Sequence, residues 1–203
     1  MREFILRAAK ANTSPLFNVE ELTRAGRMDV VARCVSNALW VSMNVRKDTL
    51  FHAVLEGPNL APKTVSFYGE SLEGADYDEK SIALLIQRAL KKGISLKQNE
   101  EKDVMPGIKV SKKSFERLVE EKAAEAKNDD DIQLIYLHKE GKDAREFNFK
   151  EHPIFIFGDL SGMPAKTEGL LDRYGAEKIS LGPVMLFAAA CITIVHNEMD
   201  RRR

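Results

Sequence analysis

The chain has little cysteine and no excess of charge of either sign. Cys34 and Cys191 are its two cysteines, and neither belongs to a CxxC pair or to a metal-ligand spacing. We therefore expect both to be buried thiols in a reducing cytoplasm. Basic and acidic side chains number 31 each, so no bulk field attracts polyanions from a distance. Any binding of nucleic acid must then use a local patch.

Long hydrophobic runs and several common motifs are also missing. No stretch of about eighteen apolar residues occurs, and the apolar run near the amino terminus is too short for a signal peptide, so we expect neither export nor a membrane span. The sequence contains no GxxxxGK[ST], no GxGxxG after a strand, no HExxH and no GxSxG. The common phosphate-loop, dinucleotide, zinc-protease and serine-hydrolase functions therefore lose their main support.

Scattered histidines and an acidic run at residues 128–131 give no metal-ligand pattern. We expect the acidic run to be a solvated loop and the histidines to be structural or surface residues, and we predict no metal site. The histidines are His52, His138, His152 and His196.

The composition is that of a globular protein, with 44% apolar and 31% charged residues. A length of 203 residues allows one substantial core, so we expect one domain over residues 1–203. The arginines at 201–203 could touch phosphate, although a frayed, solubilising tail is the simpler interpretation.

Strands alternate with helices along the second half of the chain, which predicts an α/β fold with a largely parallel sheet and helices on both faces. The predicted strands are residues 4–8, 50–55, 64–68, 107–110, 132–137 and 154–157. The predicted helices are residues 28–43, 78–92 before Gly93, 114–127, and a final helix with Pro183 in its first turn.

Two segments near the carboxyl terminus carry most of the functional signal. Residues 152–159 and 178–183 each run from an apolar strand into a glycine turn before a helix. Glycine lets the main chain approach a ligand closely, and the carboxyl ends of strands in α/β sheets are where small cofactors usually bind. These segments predict a cofactor pocket.

The residues around these turns resemble the SPOUT superfamily of RNA methyltransferases, and within it the pseudouridine N1-methyltransferases acting on position 54 in the tRNA T loop. The resemblance lies in residues 157–159, 179–183 and 191–200, and residues 1–5 and 26–48 are similar as well. The loop at 160–166 departs from the archaeal enzymes. The resemblance implies a trefoil-knotted fold, S-adenosylmethionine as cofactor, and a homodimer with the site near the subunit interface.

The resemblance also implies which residues bind the cofactor. Glycines would admit the adenosine, main-chain groups would read the adenine edge, and apolar side chains would enclose the ligand. For Leu137, Val184, Leu186 and Cys191, plain core packing is an equally good interpretation. The implied cofactor residues are Leu137, Gly158, Leu181, Gly182, Pro183, Val184, Met185, Leu186 and Cys191.

The implied reaction is in-line displacement of a methyl group from a sulfonium by a pseudouridine ring nitrogen. A carboxylate near that nitrogen could accept its proton, and an arginine could stabilise negative charge on the ring. The target base would have to leave its stack. Asp29 and Arg33 lie one helical turn apart and could instead form a simple surface ion pair. The candidates are Asp29, Arg46 and Asp48 for catalysis, and Arg27, Arg33 and Lys47 for RNA binding.

Two other functions stay open. A related SPOUT methyltransferase acting on pseudouridine in ribosomal RNA would keep the cofactor loops and change the RNA-recognition surface. A non-enzymatic RNA-binding or assembly factor would keep the fold without turnover, because a fold alone does not establish a function.

Overall fold

A computed structural model describes residues 1–202 of the chain. The helices are α1 Met28–Leu39, α2 Glu79–Lys92, α3 Phe115–Asn128, α4 Ala165–Arg173 and α5 Ala188–Asp200. The strands are β1 Arg2–Ala8, β2 Trp40–Val41, β3 Asn44–Val45, β4 Thr49–Leu55, β5 Lys63–Tyr68, β6 Glu101–Met105, β7 Ile108–Ser111, β8 Ile132–Asp143, β9 His152–Gly158 and β10 Glu177–Ser180.

Eight strands form one mixed sheet in the order β10-β8-β9-β1-β4-β5-β7-β6. The strands from β10 to β4 are parallel, and β5, β7 and β6 continue the sheet in antiparallel pairs. The parallel strands give the sheet two distinct ends. We call the end with Ala8, Leu55 and Gly158 the carboxyl edge, and the end with Arg2 and Thr49 the amino edge.

Helices cover both faces of this sheet, as predicted. On β1 the side chains alternate between two cores, because successive strand residues point to opposite faces. Phe4 and Leu6 pack in the core under α1, α2 and α5, whereas Ile5 packs in the core under α3 and α4. The Phe4 ring stacks on Phe155 with centroids 5.3 Å apart. Burying one such ring stabilises the fold by roughly 1.5–3 kcal/mol.

Local sequence signals explain how two of the helices start. Asp78 and Ser114 act as N-caps, accepting hydrogen bonds from the backbone amides of Ser81 and Arg117 at 3.0 and 3.2 Å. The pattern-based predictions of α2 and α3 are therefore confirmed to within a residue or two. Gly93 ends α2, as predicted.

Helix α1 is shorter than predicted, because it ends at Leu39 instead of residue 43. The chain turns extended at Trp40, and Ser42 adopts a left-handed conformation with φ of 55°. That turn produces the β2–β3 hairpin, which the apolar periodicity of residues 28–43 could not reveal.

The final helix also starts later in the chain than predicted. It begins at Ala188, so Pro183 lies in the loop before it and outside its first turn. Helix α4 and strand β6 were not predicted, since α4 is short and β6 is a mostly charged edge strand. Within residues 1–202, no helix is both long and apolar enough to cross a membrane.

Candidate active site

Gly158 ends β9 at the carboxyl edge, beside Arg7 of β1. A Cβ atom at Gly158 would lie 2.8 Å from the carbonyl oxygen of Gly162, so a larger residue would disturb the loop after β9. The Asp159 carboxylate accepts hydrogen bonds from the backbone amides of Ala9 at 2.9 Å and Ser161 at 2.7 Å. Asp159 therefore fixes this loop to the end of β1.

The second glycine loop, residues 181–187, connects β10 to α5 at the same edge. The Ser180 hydroxyl accepts a hydrogen bond from the Gly182 amide at 3.3 Å. Gly182 has a φ of 126°, and a Cβ atom built there meets nothing within 4 Å. Open space thus lies above a main chain that only glycine adopts easily. We call this open space beside Gly182 the cradle.

Apolar side chains surround this cradle. Val184, Met185 and Phe187 are 69%, 78% and 72% exposed, whereas Leu181 packs partly against the main core. Pro183 is exposed and Leu186 is half-buried. Plain core packing is thus wrong for Val184, which projects from the surface.

Leu137 and Cys191 are half-buried, and Leu137 packs against the main core. Leu137 lies where the pairing of β8 with β10 jumps from Tyr136 to Lys142. Burial raises the pKa of the Cys191 thiol and that of the fully buried Cys34. Both thiols are therefore neutral, although only Cys34 meets the expectation of a buried residue.

Asp29 lies in the first turn of α1 and is buried, with 3% of its surface exposed. Its carboxylate accepts two hydrogen bonds from Arg27 at 3.0 Å and one from Arg33 at 2.8 Å. The hydrogen bond from Arg27 lowers the pKa of Asp29, helped by the charges of both arginines. The Asp29–Arg33 pair exists, but its buried carboxylate makes it more than a surface pair.

Arg27 connects this cluster to the first glycine loop. The hydrogen bond to Asp29 raises the pKa of Arg27, and the negative charge of Asp159 acts in the same direction. Arg27 and Arg33 remain about half exposed, at 43% and 50% of their side chains. Two guanidinium groups of fixed position therefore face solvent near the carboxyl edge.

Arg46, Lys47 and Asp48 lie at the opposite end of the sheet. They immediately precede β4, whose first residue Thr49 pairs with Arg2 at the amino edge. Ala8 follows Arg2 by six residue steps along β1, which corresponds to roughly 20 Å. The structure therefore does not bring Arg46 and Asp48 together with Gly158 or Asp29 within one chain.

Arg46 belongs to a polar cluster that ties α5 to the amino edge. Arg2 and Arg46 donate to the Asp200 carboxylate at 2.5 and 2.8 Å. Arg2 also donates to Nδ1 of His196 at 2.8 Å, and Nε2 of His196 donates to the carbonyl oxygen of Ala38 at 2.9 Å. An arginine can only donate and a carbonyl can only accept, so His196 is neutral with its proton on Nε2.

The pKa values of this cluster follow from burial and charge. Burial and the charges of Arg46 and Arg2 lower the pKa of His196 to about 4. Burial raises the pKa of Asp200, but the hydrogen bonds from Arg46 and Arg2 outweigh it and lower that pKa to about 2. Both side chains thus hold the fold together at neutral pH.

Two further carboxylates, Asp159 and Glu56, lie at the carboxyl edge, and the sequence pattern does not single them out. Asp159 belongs to the segment 157–159 that carries part of the family resemblance. Glu56 follows β4 and pairs with Arg7 at 2.6 Å. Burial raises the pKa of Glu56 although Arg7 opposes the shift. Both carboxylates lie within two residues of the end of a predicted strand, and that position is the sequence signal they share.

Residues 1–202 contain no group of three or more histidine, cysteine, aspartate or glutamate side chains placed to hold a metal ion. His52 and His196 are buried and hydrogen-bonded, and His152 is exposed. The acidic residues 129–131 are exposed, as expected for a solvated loop.

The whole chain, residues 1–203, matches the family of SAM-dependent RNA methyltransferases. The tRNA (pseudouridine(54)-N(1))-methyltransferase of Methanocaldococcus jannaschii is 41% identical over 207 residues, which cover 100% of this chain and 98% of that protein. The enzyme of the same name from Methanocella arvoryzae is 37% identical over 203 residues, which cover both chains completely.

Among solved structures, Archaeoglobus fulgidus Nep1 bound to S-adenosylhomocysteine superposes with a TM-score of 0.63 at 11% identity, covering 98% of this chain and 97% of that one. The SpoU methyltransferase AviRb of Streptomyces viridochromogenes reaches 0.51 at 14% identity, covering 100% of this chain and 60% of that one. At such identities the likeness concerns the fold alone, and it confirms the predicted SPOUT-like α/β class.

Proposed function

Because this chain belongs to the family of SAM-dependent RNA methyltransferases, we propose that it methylates N1 of pseudouridine at position 54 in the T loop of tRNA. The family resemblance seen in the sequence is thereby confirmed. The observation that carries the finer proposal is a full-length identity of 41% to a relative of that name, which includes the amino-terminal half as well as the glycine loops.

The cofactor of this family, S-adenosyl-L-methionine, supplies a methyl group activated by a sulfonium. The residues at the carboxyl edge fit such a ligand. Gly182 leaves open space beside its main chain, and the exposed Val184 and Met185 offer apolar cover. Gly158 and Leu137 would line the other side. The neutral thiol of Cys191 would pack against the ligand without competing for the methyl group.

Asp29 has a role that its contacts define. A carboxylate that accepts three hydrogen bonds from two arginines is ionised but weakly basic. We therefore assign Asp29 to positioning Arg27 and Arg33, which would contact the RNA backbone or the carbonyl of the target base. It is a poor acceptor for the proton on N1.

Asp48 and Arg46 would serve catalysis only in the site of a second copy of the chain, because the glycine loops of the same chain lie at the carboxyl edge, at the other end of the sheet. The predicted homodimer supplies that copy. Its support is the apolar surface formed by Val184, Met185 and Phe187, which is unusual for a monomer's surface. Lys47, exposed beside Asp48, would then contact the RNA bound to the partner's site.

Subunit complementation tests this arrangement. A Gly182→Val chain lacks the cofactor cradle and an Asp48→Asn chain lacks the carboxylate, so each alone should be inactive. Mixed dimers formed by refolding both chains together should regain about a quarter of the wild-type activity in a statistical mixture, because half of the dimers are mixed and each has one intact site. Mixed dimers without activity would remove Asp48 from the partner's site.

The function itself is tested by titrating the protein with S-adenosyl-L-methionine in a calorimeter, followed by mass analysis of tRNA that carries pseudouridine at position 54. We expect binding and a mass gain of one methyl group. A matched tRNA with uridine at position 54 is the control. Methyl transfer to ribosomal RNA instead of tRNA would make ribosomal RNA the substrate. Absence of cofactor binding would favour a non-enzymatic RNA-binding assembly factor.

Three further expectations belong to this proposal. The chain forms a single SPOUT methyltransferase domain over residues 1–203, its carboxyl-terminal part is threaded as a trefoil knot, and it acts in the cytoplasm. The family match over the full length supports the first, and two free cysteines support the reducing location.

A further inference from the structure

A cavity of about 630 Å³ opens at the amino edge, at the opposite end of the sheet from the glycine loops. Its volume lies in the range of ligand sites. It is formed by the start of β1, the segment before β9 and the end of α5. The lining residues are Met1, Arg2, Asn148, Phe149, Lys150, Glu151, Met199 and Arg202.

The charges in this cavity are unequal although the whole chain is neutral. Arg2, Lys150 and Arg202 contribute three cations, and Glu151 is the single carboxylate in the lining. Carboxylates behind the lining offset both arginines, because Arg2 pairs with Asp200 at 2.5 Å and lies 3.9 Å from Asp48, and Arg202 lies 3.9 Å from Glu198. Lys150 is exposed and has no ion pair among the described residues 1–202. The cation that this cavity offers to a polyanion is therefore Lys150, with the ordered guanidinium groups of Arg2 and Arg202 beside it.

Arg202 is held in place and does not fray. Its guanidinium donates to the carbonyl oxygens of Phe147 and Ala144 at 2.6 and 2.7 Å, and it lies 4.7 Å from the centroid of the Phe149 ring. The interpretation of this residue as part of a frayed tail is therefore wrong. Arg203 lies outside the described residues.

Arg2 adds a fixed charge behind the exposed ones. Its side chain is almost fully buried, and its Nε atom makes no hydrogen bond within residues 1–202. The two other nitrogens bind His196 and Asp200, so the guanidinium cannot swing away. Ordering this positive charge requires no side-chain motion when an anion arrives.

We propose that this cavity, with Lys150 as its exposed cation, is a phosphate-binding subsite for the RNA substrate, at the opposite edge of the sheet from the glycine loops of the same chain. The inference rests on the proposed function only in taking RNA as the substrate. The subsite lies roughly 20 Å from Gly158, measured along β1.

The test is a Lys150→Glu substitution with tRNA affinity measured by filter binding at several salt concentrations. We expect roughly tenfold weaker binding and a salt slope, log K against log [salt], smaller by about 1 to 2. The matched control is Lys92→Glu, which makes the same charge change at an exposed lysine at the end of α2. The control should bind tRNA like the wild type.

Calorimetric titration of the wild type with inorganic phosphate and with adenosine monophosphate distinguishes the source of the phosphate. If Lys150→Glu abolishes saturable binding of either compound but leaves the affinity for tRNA unchanged, the cavity is a small-molecule site. That result would overturn the proposal. Equal effects of the two lysine substitutions on tRNA would overturn it as well.

Cofactor binding is measured in the same preparations. Unchanged affinity for S-adenosyl-L-methionine in Lys150→Glu confirms that the fold and the carboxyl edge are intact. If the wild type binds tRNA through Lys150 but transfers no methyl group to position 54, the subsite stands and the proposed function fails. The two failures are therefore distinguishable.

Discussion

The neutral state of His196 makes the stability of this protein sensitive to mild acid. In the folded chain a proton on Nδ1 would face the guanidinium of Arg2 at 2.8 Å, with Arg46 also bound to the neighbouring Asp200. The pKa of His196 is lowered from 6.5 to about 4 by burial and by these two arginines. The unfolded chain therefore binds this proton at a higher pH than the folded chain.

The sign and size of the effect follow from linkage. A lowered histidine pKa contributes stability that is complete above pH 6.5 and is lost as the pH falls towards 4. Because His196 is only 3% exposed, little solvent screening applies, and the full loss is on the order of 3 kcal/mol. About 2 kcal/mol of it should be gone by pH 5.

The assay is urea unfolding at pH 7, 6 and 5, followed by the fluorescence of Trp40, the only tryptophan. Other groups titrate in this range, including Glu56 with its raised pKa, so the wild type is compared with His196→Gln. The variant should be less stable at pH 7 but should lose about 2 kcal/mol less than the wild type between pH 7 and pH 5.

His152→Gln provides the matched control, because His152 is exposed and the substitution is the same. Its pH dependence should follow that of the wild type. If His196→Gln and His152→Gln both retain the wild-type loss of unfolding free energy, then His196 is not the group that titrates and the derivation is refuted.

Three further substitutions test the carboxyl edge. Gly182→Val forces a side chain onto a residue with a φ of 126°, so calorimetry should show at least about tenfold weaker cofactor binding. The control is Gly169→Ala in α4, which has open space at its Cβ and should bind the cofactor normally. Asp29→Asn should lower the free energy of unfolding by about 1–3 kcal/mol, because Arg27 and Arg33 lose the anion that they bind. An unchanged midpoint of urea unfolding would contradict this. Phe187→Asp should reduce the molar mass measured by light scattering from dimer to monomer, and an unaltered mass would exclude this surface from the dimer interface.

The parts of the fold that the sequence predicted well are those where one local signal dominates. The buried stripe on α1 and the caps Asp78 and Ser114 each act through residues a few positions apart. Pro183 was misplaced because proline suits the first turn of a helix, yet the loop before α5 extends to Phe187. Nothing local in the sequence marks that extension.

The two glycine loops could be placed at one edge from the sequence, because each follows a strand that pairs in parallel with its neighbour. The separation of Asp48 from them required the β1–β4 pairing, which is parallel and puts Thr49 beside Arg2. A residue just before a parallel strand always lies at the amino edge. That rule was available, but the pairing partner and direction of β4 were not.

The distance between the two edges limits how catalysis can work. For Asp48 to reach Gly182 in its own chain, β4 would have to leave β1, breaking the register from Arg2–Thr49 to Ala8–Leu55 in the middle of the sheet. Such a change costs much of the folding free energy, which is only about 5–15 kcal/mol for a typical domain. A second copy of the chain needs no rearrangement to present the same carboxylate. If Asp48 takes part in methyl transfer, the active unit is therefore a dimer. If a monomer is active, Glu56 and Asp159 at the carboxyl edge become the candidate proton acceptors instead.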